Sequence, residues 1–225
     1  MTANRSELTH VVQALRDGLT LGLADNKPDL VAIRKRCSDY LHQVVITAAA
    51  ALEAYYAYHR TASTVQAGQA RAAAELLDRA CMQLLFAIKP SNAENDGSAT
   101  LDSRGAVAFV DENRATLQRI AEVGTPSTVH HLLDLLEIVL RAAPATVFDL
   151  SSTALLVAGP LHGYANESLA LDQFVRLVGR FLADHRELFH DASRRERLIA
   201  MIDCFMEAGW PEARKLLNSL PDLLR

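Results

Sequence analysis

The sequence predicts an all-α protein in which a long helical hairpin is followed by stacked helical hairpins, as in an α-solenoid. Half of the 225 residues are hydrophobic and only 6% are aromatic, and Ala and Leu dominate, a composition that favours helix over strand. No stretch alternates polar and apolar residues for long enough to predict a strand. Residues 132–137 (LLDLLE) align with residues 198–203 (LIAMID), and similar helices that recur along a chain indicate stacked units.

Apolar residues spaced three and four apart predict three helices in the first 90 residues. Ser6 can cap the first helix, and Pro28 suits the first position of the second. The predicted ranges are 6–21, 28–59 and 63–90. Because the second and third helices are long and joined by a short turn, they predict an antiparallel hairpin.

Residues 91–104 are polar, contain glycine and lack an apolar period, so they predict a linker between a hairpin region (1–90) and a helical-repeat region (105–225). Asp96-Gly97 does not fit the spacing of a helix–loop–helix calcium site. Six further helices are predicted after the linker. Their ranges are 106–123, 126–142, 145–157, 167–185, 191–209 and 210–221. The third of these is expected to end at Gly159-Pro160.

Charge and cysteine content limit the classes of partner. The net charge is −4, from 23 basic and 27 acidic residues, which gives no general electrostatic reason to bind nucleic acid or an anionic membrane. Cys37, Cys81 and Cys204 are far apart among apolar helical residues, which argues against a disulfide framework or a zinc site and favours packing roles in a reducing cytosol.

The start of the sequence has no apolar segment after a basic residue, so no signal peptide is predicted. The longest weakly polar run, residues 44–51, is shorter than the roughly 20 residues that span a bilayer. We therefore expect a cytoplasmic protein that does not bind a membrane.

One helix carries a candidate metal site. His130, Asp134 and Glu137, with Arg141, recur at steps of three and four and share one face of helix 126–142. The leucines of this helix lie on the opposite face, and the matching positions of the second copy, Glu196, Ala200, Asp203 and Glu207, are mostly polar and lack histidine. A shared solvated stripe therefore explains both helices, and no metal ligand is assigned.

Two further patterns do not predict catalysis. His185 and His190 flank Glu187, but a zinc-protease helix needs its histidines four apart with the glutamate directly after the first. The sequence also contains no nucleophile elbow, P-loop or dinucleotide-binding glycine pattern. We predict no catalytic residue and no cofactor.

Basic residues cluster at residues 34–36 and at Arg194, Arg195 and Arg197. Nucleic-acid binding would require the two clusters to meet on one surface, so it is kept as a third hypothesis. A solvated helix face is the simpler interpretation of residues 34–36.

Three features are candidate binding surfaces. Tyr55, Tyr56 and Tyr58 could stack on a ligand, although the helical spacing of the first two favours a packing role. The loop at residues 159–164 combines glycine, histidine and tyrosine. Trp210 precedes a helix start, where it can pack onto the next turn, and it becomes a partner contact if it is exposed.

Several segments of the last hundred residues also carry a family resemblance. They are Gly163-Tyr164, Glu167-Ser168-Leu169-Ala170, Val175-Arg176-Leu177-Val178, Phe181-Leu182-Ala183-Asp184 and Ala208-Gly209-Trp210-Pro211-Glu212-Ala213-Arg214. Residues 126–225 thereby resemble the HEAT-like helical C-terminal region of large bacterial ATP-binding proteins, some of them associated with phage defence. In such proteins the nucleotide site lies elsewhere in the chain, so the resemblance implies a scaffold or regulatory module and no active-site residue.

The sequence therefore favours a non-catalytic scaffold or protein-interaction module within a larger bacterial assembly, with a protein partner or a second copy of the chain. A helical enzyme or ligand-binding protein, with a site between the N-terminal helices and the repeats, is the alternative. A polar pocket with perturbed ionisable groups would favour the alternative, and an exposed apolar face would favour the scaffold.

Overall fold

The computed structural model describes residues 15–21, 23, 27–58, 63–89, 103–162, 168–211, 214 and 216. Within these ranges the chain is helical and contains no strand, which confirms the all-α prediction. The cap predicted at Ser6, most of the linker, residues 163–166 and most of the last predicted helix lie outside the described residues.

The helices follow the predicted order. They are α1 (residues 15–19 as described), α2 (Pro28–Tyr58), α3 (Thr64–Ile88), α4 (Ser103–Glu112), α5 (Arg114–Val123), α6 (Pro126–Val139), α7 (Pro144–His162), α8 (Ser168–Asp184) and α9 (Ala192–Glu207). A 3₁₀ helix, Arg186–His190, connects α8 to α9. Ser63 caps α3 in a reciprocal capping box with Gln66, and Pro28 begins α2 as predicted.

The hairpin of α2 and α3 lies across the C-terminal helices. The two helices pack along each other, while α2 also packs on α5 and α3 packs on α6. Helix α5 in turn packs on α7, and α6 packs on α8. The described parts of the hairpin region and of residues 105–225 therefore share one hydrophobic core. Their division into domains and the stacked-hairpin arrangement stay predictions.

Helix α1 approaches α2 closely at a glycine. A Cβ atom at Gly18 would overlap the Cys37 thiol, so only glycine allows this contact. Cys37 thus has a packing role at the junction of the two helices. The carbonyl of Leu21, just after α1, accepts a hydrogen bond of 2.9 Å from Nη1 of Arg34.

The predicted helix 106–123 is wrong as one continuous element. It is two helices, α4 and α5, separated by Asn113, which is 2% exposed. Its amide Nδ2 donates to the Phe109 carbonyl at 2.9 Å, and its Oδ1 accepts from Ser38 Oγ at 2.8 Å. Asparagine side chains compete with the backbone for hydrogen bonds, which favours a break at this position.

The predicted end of a helix at Gly159-Pro160 is also wrong, because α7 continues through both residues to His162. Residues Ala154–Ala158 form a π-helical turn, in which the Gly159 amide donates to the Ala154 carbonyl. Proline normally breaks an α-helix because it lacks an N–H and collides with the carbonyl four residues earlier. The hydrogen bonds of the π turn join residues five apart. Pro160 therefore does not have to donate an N–H to the carbonyl four residues earlier.

Hydroxyl side chains precede the π turn. Ser152 Oγ donates to the Phe148 carbonyl at 2.6 Å, and Thr153 Oγ1 donates to the Asp149 carbonyl at 2.9 Å. Such hydrogen bonds to the preceding turn commonly bend helices. The hydroxyl run before Gly159-Pro160 is therefore a sequence signal for the irregular turn.

Helix α7 is apolar enough, by length and composition, to be a candidate membrane span among the described residues. However, 61% of its 18-residue apolar window is buried inside the protein. The core helix of a soluble protein passes the same test, and α7 packs against α5, α8 and α9.

The two similar helices, α6 and α9, preserve both their caps and their buried positions. Thr125 and Asp191, at equivalent positions, each accept a hydrogen bond from the backbone amide three residues later. Four equivalent pairs are buried in both helices. They are Leu132/Leu198, Leu135/Met201, Leu136/Ile202 and Val139/Phe205.

Two other pairs differ in exposure. Leu133 in α6 and Leu140, which directly follows α6, are each 1% exposed, whereas their counterparts in α9, Ile199 and Met206, are 38% and 37% exposed. The two helices therefore share one buried face, while a second apolar face is covered in α6 and open in α9.

Helix α9 ends at the predicted glycine. Gly209 has φ 72°, a left-handed conformation that glycine adopts without steric cost. The Trp210 amide donates to the Phe205 carbonyl and the Gly209 amide to the Met206 carbonyl, both at 3.0 Å. This pair of hydrogen bonds is the Schellman arrangement, which closes the helix.

The difference in exposure predicts different costs of truncation. Leu133→Ala should lower the free energy of unfolding by about 2–5 kcal/mol, because it leaves a cavity in the core. Ile199→Ala should lower it by less than about 1 kcal/mol, because the side chain is already partly in water. Urea denaturation of both variants checks this, and equal losses would contradict the assignment of an open face on α9.

Candidate functional site

Three consecutive residues, from the last of α4 to the first of α5, contact helices that are distant in sequence. Glu112 accepts a hydrogen bond of 2.9 Å from Nε of Arg34 on α2, and Asn113 accepts one from Ser38 on the same helix. Arg114 extends the other way, toward α7, with Nη1 at 3.4 Å from Thr146 Oγ1. We call residues 112–114 the polar junction.

Beyond the polar junction, three arginines surround one carboxylate. Arg194 on α9 donates two hydrogen bonds to Asp149 on α7, from Nε to Oδ1 at 3.0 Å and from Nη2 to Oδ2 at 3.1 Å. Nη1 of Arg197 and Nη2 of Arg114 lie 3.8 Å from the same carboxylate. The hydrogen bond with Asp149 raises the pKa of Arg194, which is charged at any physiological pH.

Arg197 also joins α9 to the backbone of α7. Its Nη2 donates to the Asp149 carbonyl at 2.9 Å and lies 2.8 Å from Oγ1 of Thr153, the residue immediately before the π-helical segment. Next to this group lies a cleft of about 360 Å³. Its lining is Gln118, Asp149, Thr153, Asp191, Ser193, Arg194 and Arg197. We call it the Asp149 cleft.

These contacts correct the interpretation of residues 34–36 as a solvated face. Arg34 is only 9% exposed and pairs with Glu112, whereas Lys35 and Arg36 are exposed as expected. In the second basic cluster, Arg194 and Arg197 face Asp149. The arginines singled out for nucleic acid are therefore largely engaged within the fold.

The candidate metal residues of α6 take part in a hydrogen-bond chain with α8. His130 Nδ1 donates to Gln173 Oε1 at 2.8 Å, and Gln173 Nε2 donates to Asp134 Oδ1 at 2.9 Å. Gln173 is buried, so His130 and Asp134 lie at a helix interface, which corrects their placement on a solvated stripe, while Glu137 and Arg141 are exposed as expected. Among the described residues, no three His, Cys, Asp or Glu side chains are grouped to bind a metal ion.

The loop predicted at residues 159–164 is helical up to His162, and this histidine joins three helices. Its Nε2 donates to the Val123 carbonyl at 3.0 Å, so Nδ1 of the neutral ring accepts from the Tyr56 hydroxyl at 2.9 Å. The rings of Tyr56 and His162 meet edge to face with centroids 4.8 Å apart. Burial lowers the pKa of His162, partly offset by the bond to Val123, and burial raises the pKa of Tyr56.

Other candidates have structural positions. Tyr55 packs edge to face on Tyr56, whereas Tyr58 is exposed. Trp210 is half-buried against the core, and its buried indole N–H has no acceptor among the described residues. His185 precedes the 3₁₀ helix and His190 is its last residue, and Leu188 and Phe189 in this helix are buried.

The three cysteines are free thiols, and two of them have a raised pKa. Burial is the main cause for Cys81, with smaller effects from nearby Asp78 and Asp134. Burial is also the main cause for Cys204, followed by Glu207 and Asp203. Both are therefore poor thiolate nucleophiles at neutral pH.

Asp149 and Arg114 were not singled out from the sequence. Each is an ordinary polar residue of an amphipathic helix, and they meet Arg194 and Arg197 only through the packing of α5, α7 and α9. The one available signal was the concentration of arginine in the first turns of α9, which attracts attention because basic residues are unfavourable near a helix N-terminus.

Loss of the central carboxylate should destabilise the fold. Asp149→Asn removes the charge that three guanidinium groups face, so we expect the free energy of unfolding to fall by about 1–3 kcal/mol. Asp39→Asn, which breaks only the exposed pair with Lys35, is the matched control and should change it by less than about 1 kcal/mol. Urea denaturation of both variants measures the difference, and equal effects would show that Asp149 contributes no more than a surface charge.

Stability should also depend on the protonation of His162. Its pKa is lowered in the folded protein from the usual 6.5, so the unfolded chain binds the proton more readily. The contribution is present above about pH 6.5 and is lost as the pH falls through the folded pKa. His162→Gln keeps one donor and one acceptor but does not titrate.

The measurement is the free energy of unfolding of both proteins between about pH 8 and about pH 5. The wild type should lose more stability than His162→Gln over this interval. Parallel curves would contradict the role assigned to the imidazole.

No protein-family model matches the chain, and no curated protein or solved structure shows significant similarity to it. The resemblance of residues 126–225 to HEAT-like regions of bacterial ATP-binding proteins stays a prediction.

Proposed function

We propose that this chain is a non-catalytic helical interaction module, a subunit or regulatory region of a larger bacterial assembly. Its contact surface is the outward face of α9. A cytoplasmic location is part of the proposal, and the free thiols of Cys37, Cys81 and Cys204 support it, because reduced cysteines are typical of that compartment.

The observation that carries the proposal is the pair Ile199 and Met206. They are seven residues apart, so they lie on one face of α9, and each is more than a third exposed. In α6, the equivalent residues Leu133 and Leu140 are covered by the surrounding fold. The second apolar face is thus covered by neighbouring residues in α6, whereas the equivalent face of α9 lacks such neighbours.

Charge indicates the chemistry of the partner. Glu196, Asp203 and Glu207 are exposed and flank one side of the Ile199–Met206 line. An apolar stripe with an acidic rim is complementary to an amphipathic helix that has an apolar stripe and a basic rim. We therefore propose a helical segment of another protein, basic on one side, as the occupant of this face.

The test compares two isoleucines of equal exposure. Ile199 and Ile138 are each 38% exposed, on α9 and α6 respectively. The tagged wild type, an Ile199→Glu/Met206→Glu variant and Ile138→Glu are each purified from native cell extract. Mass spectrometry identifies co-purifying proteins, light scattering gives the mass of the complex, and circular dichroism checks the fold.

We expect a stoichiometric partner with the wild type and with Ile138→Glu, and at least about a tenfold weaker complex with the α9 variant. Asp203→Lys should weaken the complex as well, by reversing the charge of the rim. A wild type that purifies without a partner, or a partner that the α9 variant retains, would reject the proposal. A wild type that forms a homo-oligomer sensitive to the α9 variant would replace the separate partner with a second copy of the chain.

A further inference from the structure

We propose that the Asp149 cleft binds a phosphate group, either free or at the end of a small phosphomonoester. This site is separate from the outward face of α9 and does not depend on the proposed function. Its proposed ligands are Arg197, which lines the cleft, and Arg114, which lies beside the cleft with Nη2 3.8 Å from the Asp149 carboxylate. Ser193 and Gln118 also line the cleft.

The Asp149 carboxylate is already engaged by one arginine. Both of its oxygens accept from Arg194 in a bidentate pair, which is the strongest arrangement for these two groups. Arg114 and Arg197 approach the same carboxylate but stop at 3.8 Å, beyond hydrogen-bond distance. One carboxylate therefore engages one arginine fully and leaves two guanidinium groups beside it.

The guanidinium groups of Arg114 and Arg197 still have N–H donors for a ligand. Nη2 of Arg197 donates to the Asp149 carbonyl and to Thr153, whereas its Nη1 has only the long ion-pair contact within the part of the chain that the structure describes. The Arg114 side chain is 51% exposed and has one weak bond, to Thr146 at 3.4 Å. N–H groups on both arginines are therefore available to a ligand from the solvent.

The surroundings of these two arginines also suit a small anion. Ser193 lies in the first turn of α9, where the helix dipole favours an anion and the Arg194 amide already donates to the Asp191 cap. The volume of the cleft, about 360 Å³, is in the range of small-ligand sites. Asp191 also lines it and caps α9, so the charges of the lining, two guanidinium groups and two carboxylates, balance, and the excess of one positive charge comes from Arg114 beside the cleft.

A phosphate group suits this arrangement better than a carboxylate does. It has three terminal oxygens and can accept from two arginines in forked geometry at once, whereas a second carboxylate would repeat the contact that Asp149 already makes. The small volume and the single excess charge favour a small molecule over a nucleic-acid backbone, which needs many phosphate contacts.

The experiment is calorimetric titration of the full chain with inorganic phosphate, with glycerol 3-phosphate and with glycerol as the uncharged match. The test variant is Arg114→Gln, chosen because this side chain is half exposed and its loss should leave the fold intact. The control is Arg176→Gln, which removes an exposed arginine paired with Asp172 on α8. Thermal unfolding of each variant confirms that it is folded.

We expect phosphate, glycerol 3-phosphate or both to bind, glycerol not to bind, and Arg114→Gln to weaken binding by about tenfold or more. Arg114→Lys should retain part of the affinity, and Arg176→Gln should match the wild type. Tighter binding of glycerol 3-phosphate would identify an organic phosphate as the ligand, and equal or tighter binding of inorganic phosphate would identify the free ion.

Three results would overturn the proposal. They are no binding of either phosphate at about 10 mM, equal affinity in Arg114→Gln and the wild type, and an equal loss in Arg176→Gln. The α9 variant used for the interaction surface retains all the arginines of the cleft. Failure of one proposal therefore leaves the other standing.

Discussion

A buried polar residue at the break between α4 and α5 determines how the hairpin of α2 and α3 packs on the C-terminal helices. The break between α4 and α5 lies at Asn113, whose side-chain amide satisfies a carbonyl of α4 and a hydroxyl of α2 at the same time. Glu112 and Arg114 on either side extend these contacts to Arg34 and toward Asp149. Asn113, Ser38 and Arg34 are buried, and buried polar groups are costly unless they are paired. The contacts of these three residues therefore permit few alternative arrangements of the hairpin on the C-terminal helices.

Much of the fold could be predicted from local sequence. Proline at the start of α2, the Ser63 cap, the Asp191 cap and the glycine after α9 are short-range signals, and the structure uses each as expected. The predictions failed where tertiary contacts decided the outcome. The Asn113 side chain competes for the Phe109 carbonyl and is held in place by Ser38 of another helix, and Pro160 remains helical because the preceding turn is π-helical.

The polar sites were harder to predict than the helices. His130 and Asp134 were correctly seen to share a face, but not that Gln173 covers it, since that residue belongs to another helix. Arg34 was placed in solvent for the same reason, because the acid that pairs with it is on α4. Helical periodicity shows which side of a helix a residue occupies, whereas the partner on that side depends on the whole fold.

The π-helical turn at Ala154–Ala158 makes α7 sensitive to the number of its residues. Such a turn holds one residue more than an α-helical turn would, so everything after it is rotated by about 100° relative to a regular helix. His162 reaches Tyr56 and Val123 from this rotated position. A one-residue deletion in this turn would therefore change the direction of the imidazole without altering any residue that contacts it, so the length of this segment is constrained as strictly as its composition.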